Sequence, residues 1–400
     1  MMPLDGIKVL DLGQAVYGPR VAVHLANMGA SVIKIEHPAG GDLVRGMTHV
    51  RHHPIKRLHY MFEINNFGKK SLAIDARKEE GREIVYKLVA NSDIFVSNLI
   101  VDSLRRLKMD YDTLSSINPK LIYGYASGWG SKGPDRELPA YDFVAFARSG
   151  LMATFGEPDT PPVACLPAFG DSIAAVTMAY GIMLALFHRE RTGEGQLVDV
   201  SLFGSLIEAG STNWAQVLDT RVEIPKMKRE EWTNPLFNHY KCKDGKWIEL
   251  GMLQTDLHWN DFCDATGLEE LKDDPRFINH QTRCNNNKEL IAILDKVFLS
   301  RTREEWVKRF RPRNIIWGRV QSYVDLLSDP QVWENEFAVS LPHPKFGEVQ
   351  VPGIPVKLSK TPGEIKGLSP ELGQNTEEIL LELGYTWDDI SRLKQQKVII

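Results

Sequence analysis

Ile7-Lys8-Val9-Leu10-Asp11-Leu12 is a short β-rich run closed by Gly13, and its continuation decides the fold. A helical stretch from about residue 19 to 28 stops at Gly29, and Ser31-Val32-Ile33-Lys34-Ile35 reads as the next strand. The pattern recurs. Ser71-Leu72-Ala73-Ile74 precedes a helix over about 78–89, the strand Ile94-Phe95-Val96 follows, and a helix over 101–107 leads to Leu121-Ile122-Tyr123-Gly124-Tyr125. Strands alternating with helices of this length make βαβ units and a parallel sheet. The first 150 residues therefore predict a doubly wound α/β domain.

The middle of the chain changes character. Residues 172–186 read as a long buried helix, Gly193-Glu194-Gly195-Gln196 as a turn, and Leu197-Val198-Asp199-Val200-Ser201 as a run entering another helix. From about 220 to 231 the chain is rich in Arg, Lys and Glu, as a linker is, and a smaller region of mixed strands and helices lies beyond it. Residues 349–358 read as strands broken by Pro352 and Pro355, and a last helix spans 375–383. There is no internal repeat and no low-complexity tract.

Composition excludes several classes. Forty-eight basic and fifty-two acidic side chains over 400 residues leave a formal charge of −4, which provides no broad basic field for nucleic acid. Four cysteines (Cys165, Cys242, Cys263, Cys284) without a CxxC pair argue against a disulfide scaffold and against a structural zinc site. No basic stretch, apolar core and small-residue cleavage site open the sequence, so no secretory signal is expected. The longest uncharged apolar stretch, 172–187, falls short of the roughly twenty residues a bilayer needs. The expectation is a soluble cytoplasmic protein with no membrane or nucleic-acid partner.

Gly128-Trp129-Gly130-Ser131-Lys132-Gly133 matches G-x-G-x-x-G, but Pro134, Asp135, Arg136 and Pro139 follow. No helix amino terminus opens there to receive a pyrophosphate, so the nicotinamide fingerprint fails its own context. His49, His52, His53 and His59 lack metal-ligand spacing and read as a loop, with a phosphate-proximal role as the alternative. Phe169-Gly170-Asp171-Ser172 heads the long apolar helix. Asp171 there is either a plain helix cap or a carboxylate held ionised by the positive helix end beside an apolar cavity, competent to attack an activated acyl group.

Eight blocks in order resemble the class III (formyl-CoA/carnitine type) CoA-transferases. They are PLDGIKVLDLGQAVYGP (3–19) with GASVIKIEHPAGGDLVR (29–45), NNFGKKSLAID (65–75), INPKLIYGYASGWGSKGP (117–134), LPAYDF (138–143), GDSIAA (170–175) with RTGEGQLVDVSL (191–202), and PVKLSKTPGEI (355–365). The resemblance implies that Asp171 is the nucleophile. It would form a mixed anhydride with the donor acyl group and then an aspartyl-CoA thioester, which the acceptor carboxylate attacks. An anhydride retains the thioester bond energy while water is kept out, and nearby backbone N–H groups would stabilise the oxyanions.

The same resemblance places Gln14, Ala15 and Val16 against the pantetheine arm, and Lys69, Lys70, Asn98 and Arg106 around coenzyme A. Tyr141 falls beside the acyl pocket, and Arg148 and Arg45 are candidates for pairing a second carboxylate. Acyl-CoA thioesters and carboxylic acids are the expected substrates, with no permanently bound cofactor and no metal. NPLFNHYKCKDGKWIELGML (234–253) and AFARSG (145–150) look most like members acting on 2-hydroxy and aryl acids, a dicarboxylate acceptor being the alternative. An α-methylacyl-CoA racemase is the other alternative. It needs two acid/base groups, and Tyr141, a phenol with an ordinary pKa of about 10, stands where racemases carry a histidine. The implied architecture is a large Rossmann-like CoA-binding domain (1–219), a small α+β domain (220–328) and a carboxy-terminal segment (329–400) returning to the large domain. Two chains would thread through each other as an interlocked homodimer. A non-catalytic CoA-binding relative would lack the nucleophile.

Overall fold

The structure is a computed structural model that describes residues 1–50, 53–55 and 57–400. Of the histidine group, His52 lies outside the described residues, His49 is exposed, and His59 accepts the Phe62 N–H at 3.3 Å to cap a short helical turn.

Six strands make one sheet: β1 (Lys8–Asp11), β2 (Ser31–Glu36), β3 (Lys69–Ala73), β4 (Ile94–Ser97), β5 (Ile122–Ser127) and β6 (Leu197–Ser201). Every pairing is parallel, and the order is β3-β2-β1-β4-β5-β6. The central strands β4 and β5 are buried along their whole length because both faces are covered. Alternation then sorts the sheet's side chains between two cores. Val9, Val32, Val96 and Ile122 face helices α1 (Tyr17–Ala26) and α6 (Phe169–Thr192). Leu10, Ile35, Phe95 and Tyr123 face α2 (Glu79–Ala90), α3 (Val101–Leu107) and α4 (Tyr111–Ile117). Helices α5 (Asp142–Arg148) and α7 (Leu202–Ala209) complete the first core.

The carboxy-terminal helices α8 (Thr376–Glu382) and α9 (Trp387–Gln395) pack on the second core through Ile379, Leu380, Ile390 and Leu393. They also serve the edge strand β3. Asn375 Oδ1 accepts the Ser71 N–H and Thr376 Oγ1 the Ala73 N–H, both at 3.0 Å, and Ile74 bridges to Ile399. An edge that would otherwise present free backbone groups is thus covered.

The long apolar helix differs from its expectation as a buried helix. α6 runs for 24 residues and buries one face, Gly170, Ala174, Ala175, Met178, Ile182 and Ala185. Its other face leaves Val176, Tyr180, Met183, Leu184 and Phe187 exposed. It is long and apolar enough to cross a membrane by length and composition, and it packs on the sheet. Apolar content on both sides of a helix does not say which side the chain itself covers.

Two compact units divide the chain. One comprises Met1–Ala153, Val163–Val222 and Gln331–Ile400. The other comprises Thr154–Pro162 and Glu223–Pro330. In the second, Phe237–Lys241, Trp247–Gly251 and Trp317–Val320 form an antiparallel sheet over a core of Tyr240, Phe262, Phe298, Trp306 and Phe310. Residues 154–162, read in the sequence as part of the large domain, belong to this unit, where Glu157 accepts the Arg229 N–H at 3.4 Å.

Candidate active site

Strand order reverses beside β1, with β2 and β3 on one side and β4, β5 and β6 on the other. At such a reversal the loops leaving the carboxyl ends of the two central strands diverge, and a crevice opens between them. Here these are the loop 13–16 after β1 and Asn98-Leu99-Ile100 after β4, and they are tied together. Asn98 Oδ1 accepts the Gln14 N–H at 2.8 Å, and Asn98 Nδ2 donates to the Gln14 carbonyl at 2.9 Å. Ala15 sits in the left-handed region at φ 62°, which costs a residue with a Cβ about 1–2 kcal/mol. Its N–H is held by Asp42 Oδ1 at 3.0 Å, and Gln14 Oε1 accepts the Leu43 N–H at 2.9 Å.

Beneath that loop lie four buried charges. Lys34 Nζ meets Asp42 Oδ2 at 2.8 Å and donates to the Gly13 carbonyl at 3.0 Å. Asp11 accepts the Gly13 N–H at 2.8 Å and pairs with Lys69 at 2.7 Å. All four side chains are fully buried. Burial works to raise the Asp11 carboxyl, but Lys34 and Lys69 outweigh it and hold it below its ordinary value. Burial brings the Lys69 ammonium down to about 8 against the pull of Asp11.

This arrangement corrects the reading of the basic block. Lys69 spends its remaining donors on the Pro19 and Asn65 carbonyls and on Asn66 Oδ1, so none of its ammonium faces a ligand. Lys70 pairs with Glu378 at 2.7 Å and Glu382 at 3.2 Å on α8. The two arginines considered for a second carboxylate are also engaged. Arg45 forms a two-point pair with Glu36 and lies over Phe62, away from the crevice. Arg148 pairs with Asp135 at 2.6 Å and stacks over Trp129.

The crevice is a cavity of about 290 Å³. It brings together Gln14, Ala15, Val16, Asn98, Tyr141 and Asp171 from the sequence-derived set. Tyr141 stands at its rim, 72% exposed. Arg106 is exposed and donates to Ser103 Oγ at 2.9 Å, and Ser103 lines the cavity. Gly128 of the G-x-G run also lines it, and a Cβ there would lie 2.3 Å from the Ala140 Cβ. The run therefore serves close approach of the 139–141 segment, and the next helix begins only at Asp142.

Sequence reasoning missed Tyr17 and Asp142. Tyr17 lines the cavity and donates its hydroxyl to the Val200 carbonyl at 2.9 Å. Asp142 accepts the Phe169 N–H at 3.1 Å, the Gly170 N–H at 2.7 Å and the Asp171 N–H at 3.3 Å. It caps α6 from another element, so Asp171 is not the cap. The signal available in the sequence was a carboxylate directly after Tyr141, and nothing in the spacing linked it to Gly170. Among the described residues no donor meets the Asp171 carboxylate. The expectation that the helix end holds Asp171 ionised is therefore corrected, since burial, and after it the Asp142 charge, push this carboxyl up to about 7.

A family model described as "CoA-transferase family III" matches residues 4–376. The chain is 34% identical, over the full length of both, to (R)-2-hydroxy-4-methylpentanoate CoA-transferase of Clostridioides difficile. It is 32% identical to cinnamoyl-CoA:phenyllactate CoA-transferase of Clostridium sporogenes, covering 99% of this chain and 97% of the other. Identity to succinyl-CoA–D-citramalate CoA-transferase of Chloroflexus aurantiacus is 31%, covering 99% of this chain and 98% of the other. Among solved structures, a CAIB/BAIF family protein from Brucella suis superposes with a TM-score of 0.83 at 29% identity, covering 96% of this chain and 99% of that one.

Two stability outcomes follow from the charges. Lys69→Met, which leaves Asp11 short of a partner in the interior, should lower unfolding stability in urea by about 3–5 kcal/mol. Lys70→Met, at an exposed pair, should cost under about 1 kcal/mol, and equal losses would contradict the burial of the quartet. The second concerns Asp171. A carboxyl that titrates near 7 folded and about 4 unfolded binds extra proton in the fold, so its contribution to stability is lost as pH rises between those values and its cost is full above the upper one. Asp171→Asn is expected to be more stable than wild type at pH 8 by about 4 kcal/mol, with the gap closing towards pH 4. A gap that does not change with pH would rule out the raised carboxyl.

Proposed function

The chain belongs to CoA-transferase family III, and from that premise we propose that Asp171 is the nucleophile through which it moves coenzyme A from an acyl-CoA thioester to a free carboxylic acid. The observation that carries the assignment is a carboxylate at the strand-reversal crevice with no hydrogen-bond donor on it among the described residues, beside the 13–16 loop. An ionised Asp171 attacks the thioester carbonyl, the C–S bond breaks, and CoA leaves as thiolate with an acyl–aspartyl anhydride formed. The thiolate attacks the aspartyl carbonyl, expelling the first acid as carboxylate and leaving an aspartyl-CoA thioester. The acceptor carboxylate repeats the exchange in reverse, and the thiolate then takes the new acyl group and frees Asp171.

No net proton moves in this cycle, so it asks for no general base. That suits a cavity in which Tyr17 is committed to a carbonyl and both oxygens of Asp142 are committed to N–H groups. The racemase alternative needs a second free acid/base group opposite Asp171, and the described cavity wall offers Tyr141 alone.

Coenzyme A would lie along Gln14, Ala15 and Val16, whose loop conformation is fixed from below, and across Asn98. Arg106, exposed at the rim, is the cation placed for its phosphates. The Clostridioides and Clostridium relatives support 2-hydroxy and aryl acids as acceptors, and the Chloroflexus relative supports a dicarboxylate. A dicarboxylate is the less supported acceptor because Arg45 and Arg148 are already paired inside the chain. Four cysteines, none of them in a disulfide among the described residues, support a reducing, cytoplasmic setting. The exposed apolar row on α6, with Tyr180 64% and Phe187 63% exposed, supports a homodimer, of the interlocked kind that the sequence resemblance implies.

Enzyme given one acyl-CoA donor and a panel of 2-hydroxy, aryl and dicarboxylic acids, read by mass spectrometry, should favour the first two. It should also carry a CoA adduct on Asp171. Asp171→Ala should abolish transfer and leave CoA binding within about threefold of wild type, and retention of its rate would end the assignment. Because the carboxylate is the reactive form, kcat/KM should fall about tenfold per pH unit below about 7. In sedimentation the wild type should run at twice the chain mass and Tyr180→Lys/Phe187→Lys should run as a monomer. A wild-type monomer would exclude the dimer.

A further inference from the structure

A helix amino terminus is a strong cluster of donors, and a carboxylate in its first turn ordinarily folds back onto them. Asp171 stands in the first turn of α6, whose preceding residue, Ala168, adopts φ 62° and contributes no side-chain cap. The donors are nevertheless filled. Asp142, at the start of α5, places Oδ1 on the Gly170 and Asp171 N–H groups and Oδ2 on that of Phe169. The fit is close. A Cβ at position 170 would lie 2.5 Å from Asp142 Oδ1, so Gly170 is the residue that admits this carboxylate.

We propose that Asp142 is the positioning residue for transfer: by occupying the N–H groups at the start of α6 it denies them to Asp171 and leaves the nucleophile's oxygens bare towards the cavity. This rests on Asp171 being the nucleophile and adds how its reactivity is set. A carboxylate that accepts backbone N–H bonds is stabilised as the anion and correspondingly weak as a nucleophile. A bare one beside a second negative charge is the reverse.

The ionisable groups on the elements packed against α6 are Tyr17, Arg20 and His24 of α1, Tyr123 and Tyr125 of β5, Asp142 and Arg148 of α5, Asp199 of β6, and Glu208 of α7. Arg148 is held by Asp135, and Arg20 donates to the Ile64 carbonyl. Among the described residues no cation pairs with Asp171, and among these charges Asp142 is the one that shifts it.

The test is the pH dependence of kcat/KM in wild type, Asp142→Asn and Asp142→Glu, with circular dichroism as the check on folding. In Asp142→Asn the amide Oδ1 can keep the Gly170 and Asp171 N–H groups, but the Phe169 N–H loses Oδ2 and is free to turn to Asp171, and the neighbouring charge is gone. Its acid limb should move down by at least one pH unit, its kcat at pH 8 should fall at least tenfold, and its KM for acyl-CoA should stay within threefold. Asp142→Glu keeps a carboxylate for the helix end and should return the limb to within half a unit of wild type. A limb unmoved in Asp142→Asn, or a loss equal at every pH, overturns the proposal. Should Asp142→Asn fail to fold, a wild-type limb in Asp142→Glu sustains it and a limb displaced downward overturns it. The CoA adduct on wild-type Asp171 separates the two readings. Without the adduct the nucleophile assignment fails, and with the adduct but an unmoved limb only the role of Asp142 fails.

Discussion

Two ammonium groups and two carboxylates buried under the loop after β1 are the constraint on which the crevice depends. Asp11, Lys34, Asp42 and Lys69 come from three adjacent strands and one loop, and each also bonds the backbone or side chains that shape residues 13–19. Buried ion pairs are poor sources of net stability, since desolvation offsets most of their attraction. What they supply here is shape. An alanine in the left-handed region persists only where its surroundings over-determine it, and the Asp42 carboxylate beside Ala15, itself fixed by Lys34, does that. A ligand entering the crevice would meet a loop whose backbone is already in place.

The far wall of the crevice solves a different problem. Under the role proposed for Asp171, the carboxylate that reacts stands near a helix start, where chain direction brings it to the cavity, yet must not be stabilised by the donors of that helix start. The solution is a second carboxylate that takes the donors first. The consequence is visible in the energetics as well as the chemistry, because two acidic groups held close together in a dry place resist simultaneous ionisation. Local destabilisation at a reactive centre is the usual accompaniment of such an arrangement.

How much of this could be read from sequence varied with the range of the interaction. Five of the six parallel strands were legible because burial on both faces writes itself as apolar runs such as Ile94-Phe95-Val96 and the βα alternation is local, whereas Leu197–Ser201, half-exposed at the sheet edge, was read only as a run entering a helix. Asp171 stood out for the same local reason, at the head of a long apolar helix. Lys69 and Lys70 misled because a pair of basic residues says nothing about partners 58 and 308 positions away, Asp11 for one and Glu378 for the other. Asp142 went unread because its three acceptor bonds reach across 27 to 29 residues. The exposed side of α6 was invisible for want of any sequence mark separating a face covered by its own chain from one that is not.

The edge strand β3 offers a last consequence. Its outer donors are satisfied by Asn375 and Thr376, which the ribosome adds some 300 residues after β3 itself has emerged. Throughout that interval the nascent chain carries an open sheet edge, the kind of surface on which neighbouring polypeptides stack. Completion of the first unit therefore waits for these two helices, and a product lacking them would leave a sticky border in place of an enzyme.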